Sequence, residues 1–188
     1  MATPRMELPS QRQPFNTEDA YLIRAMAQYG FLRWHHSPIT TRSGVPIHLE
    51  VCGREDLTDN PIMAKLIGKR MMGAVREHQR PGDKRPCMIG IPTAGTALAA
   101  AAMHVELAKR QPMTPAEQGM CYRIMREVPR AHGSHAGRWV NGPYTPDMTF
   151  WLVDNTITSG ATKLDVAARL EEDDYPAKEM PHIILVDR

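Results

Sequence analysis

Asp154 and Asn155 end an apolar run, Phe150-Trp151-Leu152-Val153, and are followed by Thr156, Thr158, Ser159, Gly160, Ala161 and Thr162. An apolar run without alternation is expected of a strand covered on both faces. In an open α/β sheet ligands bind beyond the carboxyl ends of the strands, where a carboxylate reaches sugar hydroxyls or a magnesium-bound water. Small residues and a glycine let consecutive backbone N–H groups converge on one anion, and the Thr and Ser hydroxyls add donors. A helix opening at about residue 159 contributes its own N–H groups and the positive end of its dipole. Residues 150–163 therefore read as a strand, loop and helix that cradle a sugar 5′-phosphate. An ordinary strand-to-helix turn capped by Thr or Ser fits the spacing equally well. The loop lacks the glycine–lysine–hydroxyl ending of the nucleoside-triphosphate P-loop.

The elements that must position this loop follow from periodicity. Acids in the first turn after Asn16 and apolar residues at Ala20, Leu22, Ile23, Met26 and Ala27 predict a helix that Gly30 stops. Residues 31–54 read as short strands joined by turns, the clearest at 42–46. Asn60-Pro61 opens a second helix, with proline at its first position. Cys87–Ile91 is a short buried strand, and 97–109 an alanine-rich helix. Residues 120–128 form another strand, Thr149–Asp154 another, 159–172 a helix, and His182–Val186 a last strand. Strands alternate with helices after residue 60, which predicts an α/β fold with a mainly parallel central sheet. Residues 129–147 carry prolines and glycines without periodicity, and a loop of that length is either functional or disordered. Within it, His132-Gly133-Ser134-His135 admits a metal pair, but no third ligand cluster stands nearby.

The composition bounds the classes of protein. The chain has 188 residues, enough for one domain with a sizeable core. A net charge of +2 makes no electrostatic case for nucleic acid or an anionic membrane. The three cysteines are far apart and show no CxxC spacing, as for free thiols in a reducing compartment. No apolar run reaches the roughly 18 residues of a spanning helix, and the start lacks an apolar signal core, so a cytoplasmic location is expected. Residues 1–15 read as a flexible arm.

The stretch LVDNTITSGAT resembles the binding motif for phosphoribosyl pyrophosphate (PRPP) of type I phosphoribosyltransferases: an apolar strand, two acids and a Thr-x-Gly loop. Asn155 stands where the second acid is usual. Three further segments resemble the orotate phosphoribosyltransferase branch in chain order. Residues 40–44, TTRSG, are similar to its TLKSG element, with Arg42 at the lysine position. Residues 90–97, GIPTAGTA, are similar to its pyrophosphate loop, with Thr93, Ala94 and Gly95 but no lysine. Residues 126–133, REVPRAHG, resemble its RKExKDHG segment and place Arg126, Arg130 and His132 on anion-binding and catalytic positions. The resemblance spans roughly residues 17 to 188.

What the resemblance implies is specific. The fold would be the type I phosphoribosyltransferase fold, a mainly parallel sheet flanked by helices. It would comprise a small N-terminal hood (16–58), a core (59–188) and a mobile loop at about 129–147. The activity would be transfer of ribose 5-phosphate from PRPP to orotate, releasing pyrophosphate, in pyrimidine nucleotide biosynthesis. Arg130, His132 and Asp154 would be catalytic. Arg42, Thr93, Ala94, Gly95, Arg126, Asn155, Thr156, Thr158, Ser159, Gly160, Ala161 and Thr162 would bind substrate. Magnesium would arrive on PRPP, touching Asp154 through water and taking no direct protein ligand. The chain would form a homodimer whose loop 129–147 reaches the neighbouring site. The departures at residues 93–94 and Asn155 keep two alternatives open: transfer to another base, or a non-catalytic PRPP-binding regulator. Family members continue past the equivalent of residue 188 with a further strand and helix, so the chain is either a compact version or one whose end has been removed.

Overall fold

The computed structural model describes residues 17–41, 44–52, 59–80, 82–108, 119–133, 137–140, 144–157 and 160–187. Helix α1 (Thr17–Gln28) ends at Gly30, whose φ of 77° suits glycine. Strands β1 (Leu32–Thr40) and β2 (Pro46–Val51) pair antiparallel as a separate two-stranded ribbon. Helix α2 (Pro61–His78) starts where Asn60 caps it, its side-chain oxygen accepting from the Met63 amide at 3.0 Å. Strand β3 (Arg85–Gly90) leads into α3 (Ala94–Ala108). Strands β4 (Cys121–Arg130), β5 (Gly137–Trp139) and β6 (Met148–Ile157) follow. Helix α4 (Ala161–Glu171), a short 3-10 turn (Ala177–Glu179) and β7 (His182–Asp187) complete the described chain.

The main sheet has the order β5-β4-β3-β6-β7. β3 pairs parallel with both β4 and β6, and β6 pairs parallel with β7. Alternation along β3 and β6 sends side chains to two cores. Met88, Trp151 and Val153 join α1, α2 and α3, while Cys87, Ile89, Phe150 and Leu152 join α4 and Tyr175. Both faces of these central strands are thus covered, which is why residues 87–89 and 150–153 are apolar without alternation.

Three boundaries differ from the sequence reading. β6 runs on through Ile157, because Thr156 and Ile157 find partners in Val186 and Asp187 of β7. Helix α3 begins at Ala94 rather than residue 97, since the turn from β3 is very tight. The segment 129–147 is not uniformly irregular: β4 extends to Arg130, and β5 folds back antiparallel on it, pairing Met125 with Trp139 and Arg130 with Gly137. Pairing with a neighbouring strand is a tertiary event, and the prolines and glycines of this segment hid it.

Candidate active site

The carboxyl ends of β3, β4 and β6 and the ribbon β1–β2 enclose a cleft of about 600 Å3. Its floor is the end of β6. Asp154 is 8% exposed, and its Oδ1 accepts the Asn155 amide at 2.8 Å. Its Oδ2 lies 2.5 Å from Nζ of Lys163 in the first turn of α4. The same ammonium donates to the Thr156 carbonyl, so Lys163 ties strand end to helix start. Gly160 adopts the left-handed conformation (φ 76°), and its carbonyl accepts the amides of Lys163 and Leu164 at 2.9 and 3.1 Å. Gly160, at the N-cap of α4, makes no side-chain capping bond, so this helix start is framed by backbone groups. That arrangement suits an anion arriving from the cleft.

The second wall is the turn from β3 into α3. The Ile91 amide donates to the Val153 carbonyl at 2.8 Å, and the Gly95 amide to the Ile91 carbonyl at 2.9 Å. The Pro92–Thr93 peptide is cis. A side chain on Gly95 would run into the Val153 carbonyl, so glycine there lets the helix start press against β6. Ile91, Pro92, Thr93 and Ala94 consequently face the same space as Asp154.

The cleft brings together Thr93, Ala94, Asp154, Asn155, Thr156, Ala161 and Thr162 from three stretches of sequence. Gly95 stands behind the wall and shapes it. Gly160 shapes the helix start without lining the cleft. Arg42, Thr158 and Ser159 lie outside the described residues. The remaining three candidates sit elsewhere. Arg126 points to the other side of β4, where its Nη1 donates to the carbonyls of Gly137 and Trp139 at 3.0 and 2.7 Å and fastens β5. Arg130 and His132 are exposed at the far end of β4, with the Arg130 guanidinium folded over Gly133. The proposed His132/His135 pair falls partly on residues outside the described set. Among the described residues no cluster of three His, Cys, Asp or Glu is placed to hold a metal, and no helix is long and apolar enough to cross a membrane.

Several cleft residues carried no role in the sequence reading. Lys163 is the foremost. A cation in the first turn opposes the helix dipole, and that mismatch is the signal that it serves a particular acid. Glu50 of β2 lines the opposite side, its Oε2 2.9 Å from Nε2 of His35. The His35 hydrogen bond holds the Glu50 carboxyl below its usual range, against a smaller opposing effect of burial. Glu127, Asp165 and Arg169 also face the cleft, and Nη1 of Arg169 donates to the Glu127 carbonyl at 3.1 Å. These depend on β4 and α4 meeting over the sheet, which no local pattern announces.

A mainly parallel sheet with flanking helices, a separate ribbon over its carboxyl edge and a cleft between them define the type I phosphoribosyltransferase fold. The orotate phosphoribosyltransferase of Francisella tularensis has this fold. It matches with a TM-score of 0.55 at 15% identity, over 87% of this chain and 69% of that one. That of Mycobacterium tuberculosis matches at 0.54 and 15%, over 90% and 96%. The adenine phosphoribosyltransferase of Trypanosoma brucei matches at 0.53 and 17%, over 88% and 79%. No family model matches the chain, and no curated protein matches it in sequence.

Proposed function

We propose that the chain is a phosphoribosyltransferase that moves ribose 5-phosphate from PRPP to a ring nitrogen of a nucleobase. The observation that carries this reading is the convergence of Asp154–Thr156, the α4 N-terminus and the 91–95 turn on one cleft of this fold. In the reaction a bond forms between the base nitrogen and C1 of the ribose. The C1–O bond to pyrophosphate breaks, pyrophosphate leaves with the electron pair, and the ring nitrogen's proton passes to solvent. Positive charge develops on the sugar, as in glycosidic cleavage.

The chain's own groups have distinct tasks. The amides and hydroxyls of residues 158–162 hold the 5′-phosphate, a handle that orients the distant reacting carbon. Asp154 and Asn155 accept from and donate to the ribose hydroxyls. The turn Thr93–Gly95 offers its backbone to pyrophosphate, and Arg42 supplies charge there. Arg126 would meet anions only after releasing the β5 carbonyls.

The donor set fits magnesium carried by PRPP. One carboxylate already engaged by Lys163, beside a neutral Asn155, suits contact through water better than direct ligation. When bound, the ion offsets charge on the leaving pyrophosphate.

Arg130 and His132 lie away from the cleft of their own chain, which favours a homodimer in which the segment 129–147 serves the partner's site. The T. brucei structure contains AMP, pyrophosphate and ribose 5-phosphate, and that chain shares this fold. Sequence resemblance names orotate as acceptor, whereas the structural matches include orotate and adenine enzymes.

A PRPP-binding regulator without turnover is the second reading, favoured by Asn155 and by the pyrophosphate turn without lysine. The test is incubation with PRPP, magnesium and single bases, following base consumption and pyrophosphate release. Turnover with any base supports the enzyme. PRPP binding without turnover of any base supports the regulator.

A further inference from the structure

If the α4 N-terminus holds the 5′-phosphate and the 91–95 turn holds pyrophosphate, the base is left for the side of the cleft beneath the β1–β2 ribbon. There Ile39, Ile47 and Val51 offer apolar surface to the faces of a flat ring, and Glu50 offers a carboxylate. Glu50 is fixed from across the ribbon by His35, whose Nε2 is 2.9 Å from Oε2. At 37% exposure its side chain is partly withdrawn from water yet open to a ligand. Cys52 also hydrogen-bonds this carboxylate, and the two bonds leave further acceptor sites, since each oxygen carries two lone pairs.

Charge sharpens the reading. The described lining of the cleft carries four carboxylates, Glu50, Glu127, Asp154 and Asp165, and two cations, Lys163 and Arg169. Lys163 is engaged by Asp154, and both cations belong to α4, across the cleft from the ribbon, where His35 and Arg33 of β1 act on Glu50. An ionised carboxylate only accepts hydrogen bonds. An acid-bearing ring packed against Glu50 faces like charge in a partly desolvated site, whereas an amine or ring N–H meets a charged acceptor, the stronger class of hydrogen bond.

We propose that Glu50 sets the acceptor base, selecting an uncharged, amine-bearing purine or pyrimidine that donates N–H to its carboxylate, and disfavouring an acid-bearing base such as orotate. The proposal rests on the phosphoribosyltransferase reading and deepens it.

The test compares the wild-type chain with Glu50→Gln, a near-isosteric change. Adenine, guanine, cytosine, hypoxanthine, uracil and orotate are each supplied with PRPP and magnesium. Nucleotide formation is followed by chromatography, and PRPP binding is measured by calorimetry. An amine-bearing base is expected to show the highest kcat/KM. Glu50→Gln is expected to lower that value roughly tenfold to a hundredfold, the loss of a charge-assisted hydrogen bond. The ratio to orotate is expected to fall with it, while the PRPP Kd is unchanged. A purely structural role for Glu50 would lower all bases and PRPP binding together. Preference of the wild-type chain for orotate, or an unchanged ratio in Glu50→Gln, overturns this proposal and leaves the phosphoribosyltransferase reading standing. PRPP binding without turnover of any base, or no PRPP binding at all, overturns both.

Discussion

Lys163 Nζ stands 2.5 Å from Asp154 Oδ2, with both side chains about nine-tenths withdrawn from solvent at 10% and 11% exposure. The pair joins the last buried residue of β6 to the first turn of α4, the two elements that frame the proposed phosphate site. Removing one partner from such a pair leaves an uncompensated charge in a poorly hydrated place. Lys163→Met is expected to lower unfolding stability by about 3 kcal/mol. The double change Lys163→Met, Asp154→Asn should recover much of that loss. Urea denaturation of Lys163→Met, Asp154→Asn and the double variant reads the coupling directly, and additive losses would show that the two groups do not act as a pair.

Glu50 carries a pH signature. Its carboxyl lies below its reference value of 4.5, chiefly through the His35 hydrogen bond. A carboxylate depressed on folding stabilises the native state above its unfolded value, and the contribution is lost as pH falls through the lower native one. The stability difference between wild type and Glu50→Gln should therefore be constant near neutrality and shrink below about pH 4.5. Denaturation midpoints measured from pH 7 down to pH 3 test this. A difference that widens on acidification would contradict the His35–Glu50 pairing.

The neighbouring strands β3 and β4 set two cysteines side by side, Cys87 opposite Cys121. The Cys87 thiol, hydrogen-bonded to Cys121, lowers the Cys121 thiol below the usual thiol range, with Arg85 and Arg123 assisting against burial. Cys87 is fully buried and shifted the opposite way, held protonated by Cys121 and by desolvation. Alkylation by iodoacetamide, read by peptide mass spectrometry, should label Cys121 at a lower pH than an ordinary thiol and spare Cys87 in the folded chain. Equal labelling of the two would refute this arrangement.

If the segment carrying Arg130 and His132 works on a partner's site, defects in Arg130 and Asp154 complement each other. Arg130→Ala alone is expected to reduce turnover much more than PRPP affinity, and Asp154→Asn to be nearly inactive. Mixed and reassociated in equal amounts, the two should recover about a quarter of wild-type activity, because half the dimers then hold one intact site. No recovery in mixed dimers, or full activity from a sedimenting monomer, would place the segment outside the mechanism.

The sequence determined the features that depend on neighbouring residues. The Asn60 cap and Pro61 start of α2 are local signals and appear where expected. The apolar segments around Ile89 and Leu152 name strands buried on both faces, because only such strands are apolar without alternation. The loop after Val153 marked the proposed phosphate cradle, since glycine, hydroxyls and a helix start are the local ingredients of an anion nest. The tertiary structure decided what depends on distant partners. β6 outruns its apolar core only because β7 lies alongside, and β5 is a strand only because β4 accepts it. Arg126 serves the β5 carbonyls, although its place in the motif reads as substrate-binding. Lys163 is three residues past the glycine in sequence, but only the return of α4 over β6 makes it the counter-ion of Asp154. Glu50 is 104 residues from Asp154 by their numbers (154 − 50), and only the ribbon's seat over the sheet makes them walls of one cleft. Propensity and capping act over a few residues. Charge pairing and cleft shape act through space, so the residues of the proposed phosphate site were readable along the chain and those of the proposed base site were not.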